Sequence, residues 1–377
     1  MQHSQMIQKD NTTNNAILYM SLELSDSTWR LGFGDGYNNK RQKTIDAGDI
    51  VHLQQEITKA KKHFKMPDDV KIVSCYEAGR DGFWLHRFLE SINVKNYVVD
   101  SASIEVNRRY RRLKTDRIDG LKLLSMLIRF ESGEQKLWSV LHIPDEEQED
   151  LKRINRERDN LKKEKTRHSN RIKSLLVLKG IRARFQKDFL EELEELTQWD
   201  GKPLPENTKK ELKREYERYL LVLAQLAQVE KEKKEILEGG TDQAKKVLKM
   251  QRLKGIGPVT AWDLTYEFFW RKFRNGKQVG AAAGLTPTPY SSGSSNIELG
   301  ISKAGNKRVR AKMIESAWLW MRYQPNSKIT KWFNERYGKG SKRMRRVGIV
   351  AVARKLLIAL WRFVEEGVVP EGASLKA

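Results

Sequence analysis

Ala16-Ile17-Leu18-Tyr19-Met20-Ser21-Leu22, closed by Glu23, decides how the first third of the chain folds. The apolar run is too short for a membrane helix and reads as a buried strand, with an acid directly after it. Trp29-Arg30-Leu31-Gly32-Phe33 alternates as a second strand, and Gly34-Asp35-Gly36 turns the chain. Gln42 to Ala47 is a candidate third strand, and His52 to Phe64 has helical spacing. Val70 to Tyr76 is another apolar strand, again with an acid, Glu77, directly after it. Phe83 to Ile92 reads as helix, Asn96 to Asp100 as a short strand and Ile118 to Phe130 as an apolar helix. Hairpin strands first, then alternating strands and helices, predict a mixed α/β sheet with helices on its faces.

Lys114-Thr115-Asp116-Arg117-Ile118-Asp119 opens the last of these helices. Positions i and i+3 share a helix face, so Asp116 and Asp119 would project together and suit a shared divalent ion. The approach carries Arg108, Arg109, Arg111 and Arg112 and no acid. Glu23, Glu77, Asp116 and Asp119 all stand at element ends where a sheet would gather them. Two-metal phosphoryl chemistry uses such a carboxylate set. The plainer alternative for the aspartates is an acidic helix start favoured by the macrodipole.

The 377 residues carry 72 Lys and Arg against 49 Asp and Glu, a net charge of +23. That balance points to a nucleic acid rather than a membrane, since no segment stays apolar for a membrane span. A single cysteine, Cys75, excludes an internal disulfide and a Cys-rich zinc site. The six histidines show no metal-ligand spacing. Residues 1–15 are polar without an apolar signal core and read as a disordered lead-in, so a cytoplasmic, nucleoid-associated setting is expected.

Residues 145–240 are dense in Lys, Glu and Arg. Leu212, Tyr216, Tyr219, Leu223 and Leu226 form a heptad seam, with a looser one in Leu151, Ile154, Leu161, Ile172 and Leu175. Gly201-Lys202-Pro203-Leu204-Pro205 divides the region, which predicts a long helical hairpin or coiled coil, read as a dimerisation arm. A helical segment follows over 245–366, with a tail at 367–377. Within it Leu319 to Trp332 and Val347 to Val364 have helical periodicity, and Lys342, Arg343, Arg345 and Arg346 form a basic stretch. Leu253-Lys254-Gly255-Ile256-Gly257-Pro258 reads equally well as a helix-hairpin-helix turn that meets phosphate and as an ordinary tight turn. Residues 288–300 are a Gly/Ser-rich loop, with Ser292 just before Gly293. The stretch after it holds Lys303, Lys307, Arg308 and Arg310 as phosphate contacts.

Several of these motifs, in this order, resemble the DEDD transposases of insertion-sequence family one-hundred-and-ten. The residues that carry the resemblance are Tyr76-Glu77-Ala78-Gly79 with Gly82 and Leu85, and Lys114 through Asp119. In the C-terminal part they are Gly255-Ile256-Gly257, Ala283 through Pro287, Tyr290 through Gly293 and Ile301 through Asn306. The resemblance spans about 16–131 and 250–362. It implies a RuvC-like domain of RNase H fold over 16–132, a central coiled coil and a C-terminal transposase domain. It also implies a Mg²⁺ (or Mn²⁺) tetrad of Glu23, Glu77, Asp116 and Asp119 and a nucleophilic Ser292. The nucleic-acid contacts expected beside them are Arg108, Arg109, Arg111, Arg112, Lys114, Lys303, Lys307, Arg308, Arg310, Arg343, Arg345 and Arg346.

The implied partners are donor and target DNA and a structured non-coding bridge RNA. A dimer or tetramer would form through the coiled coil, and the acids and serine would come from different protomers. One departure is Glu23, where the family usually has Asp, and Asp26 is its rival. Two other functions fit the residues: a metal-dependent RuvC-like junction nuclease that activates water, and a non-catalytic nucleic-acid-binding protein.

Overall fold

The computed structural model describes residues 16–37, 39–79, 81–104, 116–135, 137–182, 188–292 and 295–376, with the backbone alone given for 102, 116–120, 289–292 and 295–299. The chain divides into two compact units, Met1–Ile143 and Pro144–Ala377.

The first unit is built on β1 (Ile17–Leu24), β2 (Thr28–Gly34), β3 (Lys40–Asp46), β4 (Lys71–Glu77) and β5 (Val94–Val99). The strand order is β3-β2-β1-β4-β5. β1 pairs antiparallel with β2 and parallel with β4, and β4 pairs parallel with β5. That mixed sheet is compatible with the RuvC-like arrangement. α1 (Ile50–His63) and α2 (Trp84–Ser91) cover one face and α3 (Asp116–Glu131) the other. The period of two along β1 makes this division: Leu18, Met20 and Leu22 enter the core with α1 and α2, while Tyr19 joins Leu123, Leu124 and Leu127 of α3. β1 and β4 are near-continuous apolar runs because both of their faces are covered.

The second unit contains α4 (Glu146–Val177), α5 (Phe189–Glu195), α6 (Glu206–Glu238), α7 (Asp242–Gln251) and α8 (Pro258–Glu267). These are followed by α9 (Gly276–Ala282), β6 (Pro287–Ser292), β7 (Ser295–Ile301), α10 (Lys307–Tyr323), α11 (Lys328–Tyr337) and α12 (Lys342–Glu366). α4 and α6 form an antiparallel hairpin, tied by Arg158–Glu230, His168–Glu215 and Arg171–Glu211 pairs. The predicted seam holds at Leu212 and Tyr216 but then moves to Val222 and Val229, with Leu223 only half-buried. The buried position thus steps from Leu223 to the residue before it, and Leu226 packs only partly buried beside Val222 and Val229. The helical core of this unit gathers Trp262, Phe268, Phe269, Met313, Trp320, Leu356 and Leu360.

Two expectations change here. Leu319 to Trp332 is not one helix: Pro325 falls in the break between α10 and α11, and Ser327 caps α11 by accepting from the Thr330 N–H. Residues 288–300 are not a loop but an antiparallel hairpin, with Ser291 opposite Asn296 and Ser292 opposite Ser295. A two-residue connection that contains glycine is a hairpin signal, which the abundance of serine disguises. The tail is also structured: Leu375 bridges to Leu253, and the Lys254 N–H donates to the Ser374 carbonyl.

Candidate active site and nucleic-acid interface

Glu23 lies near the end of β1 and Glu77 ends β4. The parallel register aligns Leu22 with Tyr76, so the two acids are the next neighbours across the pair, about 5 Å apart at the backbone. Alternation puts both on the α3 face of the sheet, opposite to Leu22 and Tyr76. α3 runs against β4: Glu131, in its last turn, takes hydrogen bonds from Lys95 and Tyr97 at the start of β5, while the Leu123 carbonyl accepts from the Cys75 thiol at 3.9 Å. Asp119 is one helical turn before Leu123, about 6 Å back along the axis, and Glu77 is two residues beyond Cys75, about 6.6 Å along the strand. Both steps lead in the same direction. The first turn of α3, with Asp116 and Asp119, therefore comes level with Glu23 and Glu77.

Glu23 also has Arg30 across the β1–β2 pair, with an oxygen 4.0 Å from its Nη1. Asp26 belongs to the β1–β2 turn, beyond the paired residues. An all-carboxylate donor set fits a hard divalent cation such as Mg²⁺ or Mn²⁺. Among the described residues no group of three or more His, Cys, Asp or Glu is poised to hold a metal. The side chains of Asp116 and Asp119 lie outside that description, as do Arg108, Arg109, Arg111, Arg112 and Lys114.

Ser292 is the last residue of β6. The base of its hairpin is clamped by two glycines. Gly284 has φ +67, and a Cβ there would lie 2.4 Å from the Ala304 carbonyl oxygen. Gly305 has φ +111, and its Cβ would lie 2.3 Å from the Ala282 carbonyl oxygen. The Asn306 N–H donates to that same Ala282 oxygen, and the Asn306 side chain caps α10 by accepting from the Val309 N–H. Gly305→Ala is expected to destabilise the protein by about 2–4 kcal/mol, combining left-handed strain with a backbone clash. A thermal melt with an unchanged midpoint would contradict this.

The expected phosphate contacts separate into two groups. Lys303, Lys307, Arg343, Arg345 and Arg346 are exposed, the last three in the first turns of α12. Arg310 donates to the Ala283 carbonyl at 3.2 Å, and Arg308 is spent internally. Arg308 bonds Asp263 at 3.0 Å and Asp159 at 2.5 Å. Its partner Asp263 is fully buried and also accepts from Asn155. One turn along α8, Glu267 accepts two bonds from Arg156, at 2.6 and 2.8 Å. Burial pushes the Asp263 carboxyl up, and Arg308 partly offsets it. The sequence hid this cluster because its acids are scattered along the chain; the i, i+4 spacing of Asp263 and Glu267 was the one available sign.

Two lysines join the cluster. Burial pushes Lys152 down to about 8, partly offset by Glu267, and Lys233 down to about 8, with Arg158 adding to the effect. An unfolded lysine keeps its proton to about pH 10.4. Between pH 8 and that value the unfolded chain binds more protons, so stability from this group rises with pH; below pH 8 the buried charge carries its full cost. The stability of the wild type relative to Lys152→Met should therefore rise by about 2 kcal/mol between pH 7.5 and 10. Urea unfolding of both proteins at the two pH values measures it, and a constant gap would refute it.

Comparison with known proteins decides the family. Residues 37–180 match the DEDD transposase family associated with IS110, and residues 248–331 match the transposase IS116/IS110/IS902 family. A transposase-like protein of Sinorhizobium fredii, y4rJ, is 40 % identical over 374 residues, which cover 95 % of this chain and 94 % of that one. The chain belongs to the IS116/IS110/IS902 family of transposases. More distant relatives include the transposase for insertion sequence element IS1328 of Yersinia enterocolitica, 27 % identical over 59 % of this chain and 65 % of that one. The transposase for IS1111A of Coxiella burnetii is 30 % identical over 48 % of this chain and 49 % of that one. The transposase thus acts on DNA, and membership in the DEDD family implies dependence on a divalent metal ion. No helix among the described residues is long and apolar enough to cross a membrane.

Proposed function

We propose that this transposase cuts and exchanges DNA strands through a covalent phosphoserine intermediate. The observation that carries the metal half of the reading is the common level of Glu23, Glu77 and the first turn of α3 on one sheet face. Glu23, Glu77, Asp116 and Asp119 would hold Mg²⁺ or Mn²⁺. When bound, the metal supplies Lewis-acid stabilisation of the attacking and departing oxygens. Glu23 is preferred to Asp26 because it shares a strand level with Glu77.

In the reaction the Ser292 hydroxyl attacks phosphorus. A P–Oγ bond forms, the bond from phosphorus to the 3′ oxygen breaks, and the serine proton is balanced by protonation of the departing oxygen. The 3′-hydroxyl of a second strand then attacks the same phosphorus and releases Ser292. One phosphoester forms for each one broken, so the exchange needs no nucleotide hydrolysis. The resemblance supports a supply of acids and serine by different copies, paired through the helical arm in a dimer or tetramer. It also supports guidance by a bridge RNA, with base pairing reading the sequence. Exposed Lys303, Lys307, Arg343, Arg345 and Arg346 are the proposed backbone contacts.

The test is incubation of the protein with DNA, the RNA transcribed beside its gene and Mg²⁺, followed by a denaturing gel. A protein–DNA adduct that forms only with metal is expected. Free cleaved ends without an adduct would favour the water-activating nuclease, and no cleavage in any mixture would favour a binding protein.

A further inference from the structure

The last two turns of α10 leave an aromatic face uncovered. Trp318 is 45 % exposed and Tyr323 50 %, with Leu319 between them at 37 %. The Arg322 guanidinium stands 5.5 Å from the centre of the Tyr323 ring. The core takes the other side of this helix, through Met313, Ala317 and Trp320. The half-exposed rings are therefore not needed to fill the core, and Trp318, Arg322, Leu319 and Tyr323 neighbour one another at i, i+3 and i+4 spacings on the uncovered side.

The turn between α7 and α8 borders that face directly. Gly255 has φ +84, and a Cβ there would lie 3.4 Å from both the Leu319 carbonyl oxygen and the Tyr323 Cβ. The turn adds the exposed cation Lys254 and the N-terminus of α8, where Gly257 caps without a side chain and faces open space. Among the described residues neither Lys254 nor Arg322 is ion-paired, whereas the nearby Glu315 is engaged with Lys312 at 3.1 Å. The turn and the Tyr323 end of the helix thus meet, with Lys254 and the start of α8 beside the ring.

We propose that this surface binds single-stranded DNA. Trp318 and Tyr323 stack on unpaired bases, while Lys254, Arg322 and the first amides of α8 face the phosphates. The occupant follows from complementarity. Cations on a chain of net charge +23 call for a polyanion, and exposed rings call for bases whose faces are free, which a duplex does not offer. Strand exchange supplies such bases. The inference rests on the family's action on DNA and is independent of the serine reading.

Full-length protein would be titrated with a fluorescent oligodeoxynucleotide of about twelve nucleotides, its duplex and the RNA of the same sequence. Trp318→Ala and Tyr323→Ala should each weaken single-strand binding by about tenfold or more, Trp318→Phe by about threefold, and duplex binding by less than about twofold. Ser292→Ala should bind the single strand as the wild type does, which separates a failure here from a failure of the serine mechanism. Photocrosslinking of an iodouracil-substituted strand should map to the peptide holding Trp318 and Tyr323. Unchanged single-strand affinity in the double alanine variant overturns the proposal, as does an equal loss on duplex. Binding to RNA but not DNA overturns it too, and so does a changed oligomeric state, which would make the face a contact between copies.

Discussion

Ser292→Ala is expected to abolish the protein–DNA adduct and strand transfer while leaving the fold and DNA binding intact. The loss should exceed about a thousandfold, on the order of 4 kcal/mol or more of transition-state stabilisation, because no other group can store the phosphoester. Removing one hydroxyl from the end of a clamped hairpin leaves its base untouched, so the melting temperature should barely move. Ser291→Ala, Ser294→Ala, Ser295→Ala and Tyr290→Phe are the necessary controls, since each offers a hydroxyl within a few residues. They should keep adduct formation within about tenfold of the wild type. A wild-type level of adduct in Ser292→Ala would end the serine mechanism, and transfer of the defect to Tyr290→Phe would reassign the nucleophile.

The acids provide the second large effect. Asp119→Asn and Glu77→Gln should each lower strand cleavage by about a hundredfold or more, since each keeps the side-chain shape and removes a charge that holds the cation. Withdrawing divalent metal from the wild type should have the same consequence, and re-adding Mg²⁺ or Mn²⁺ should restore only the wild type. Glu23→Gln tested beside Asp26→Asn distinguishes the two claimants for the first acid: cleavage should fall with the former and persist with the latter. Cleavage unaffected by Asp119→Asn would remove α3 from the chemistry and leave its first turn as an ordinary helix start.

How far the sequence could be read depends on what kind of signal each feature leaves. β1 and β4 were legible because strands covered on both faces become uninterrupted apolar runs, and Glu23 and Glu77 were legible because they end those runs. Their placement at one level was not, because register is a property of pairing and has no local signature. The Ser292 hairpin read as a loop because its strands are short and carry prolines at Pro287 and Pro289, and the ladder there shifts register. Pro325 marked the α10–α11 break, yet the apolar period on either side carried across it. Arg308 looked like a phosphate contact from its basic surroundings. The i, i+4 spacing of Asp263 and Glu267 hinted at a shared helix face, but their pairing with Arg308 depends on the packing of α8 against α10.

The antiparallel pairing of α4 and α6 sets ion pairs of one chain at matched heights along the two helices. A change in length made in one of these helices would put every later rung out of step: Arg158 would miss Glu230, and His168 would miss Glu215. Insertions and deletions should therefore be tolerated only as matched pairs, with equal numbers of residues added to or taken from both helices at the same height. Relatives of different arm length should differ by such compensated increments. An engineer who wishes to alter the reach of the arm must edit it as a ladder, adding or removing whole rungs.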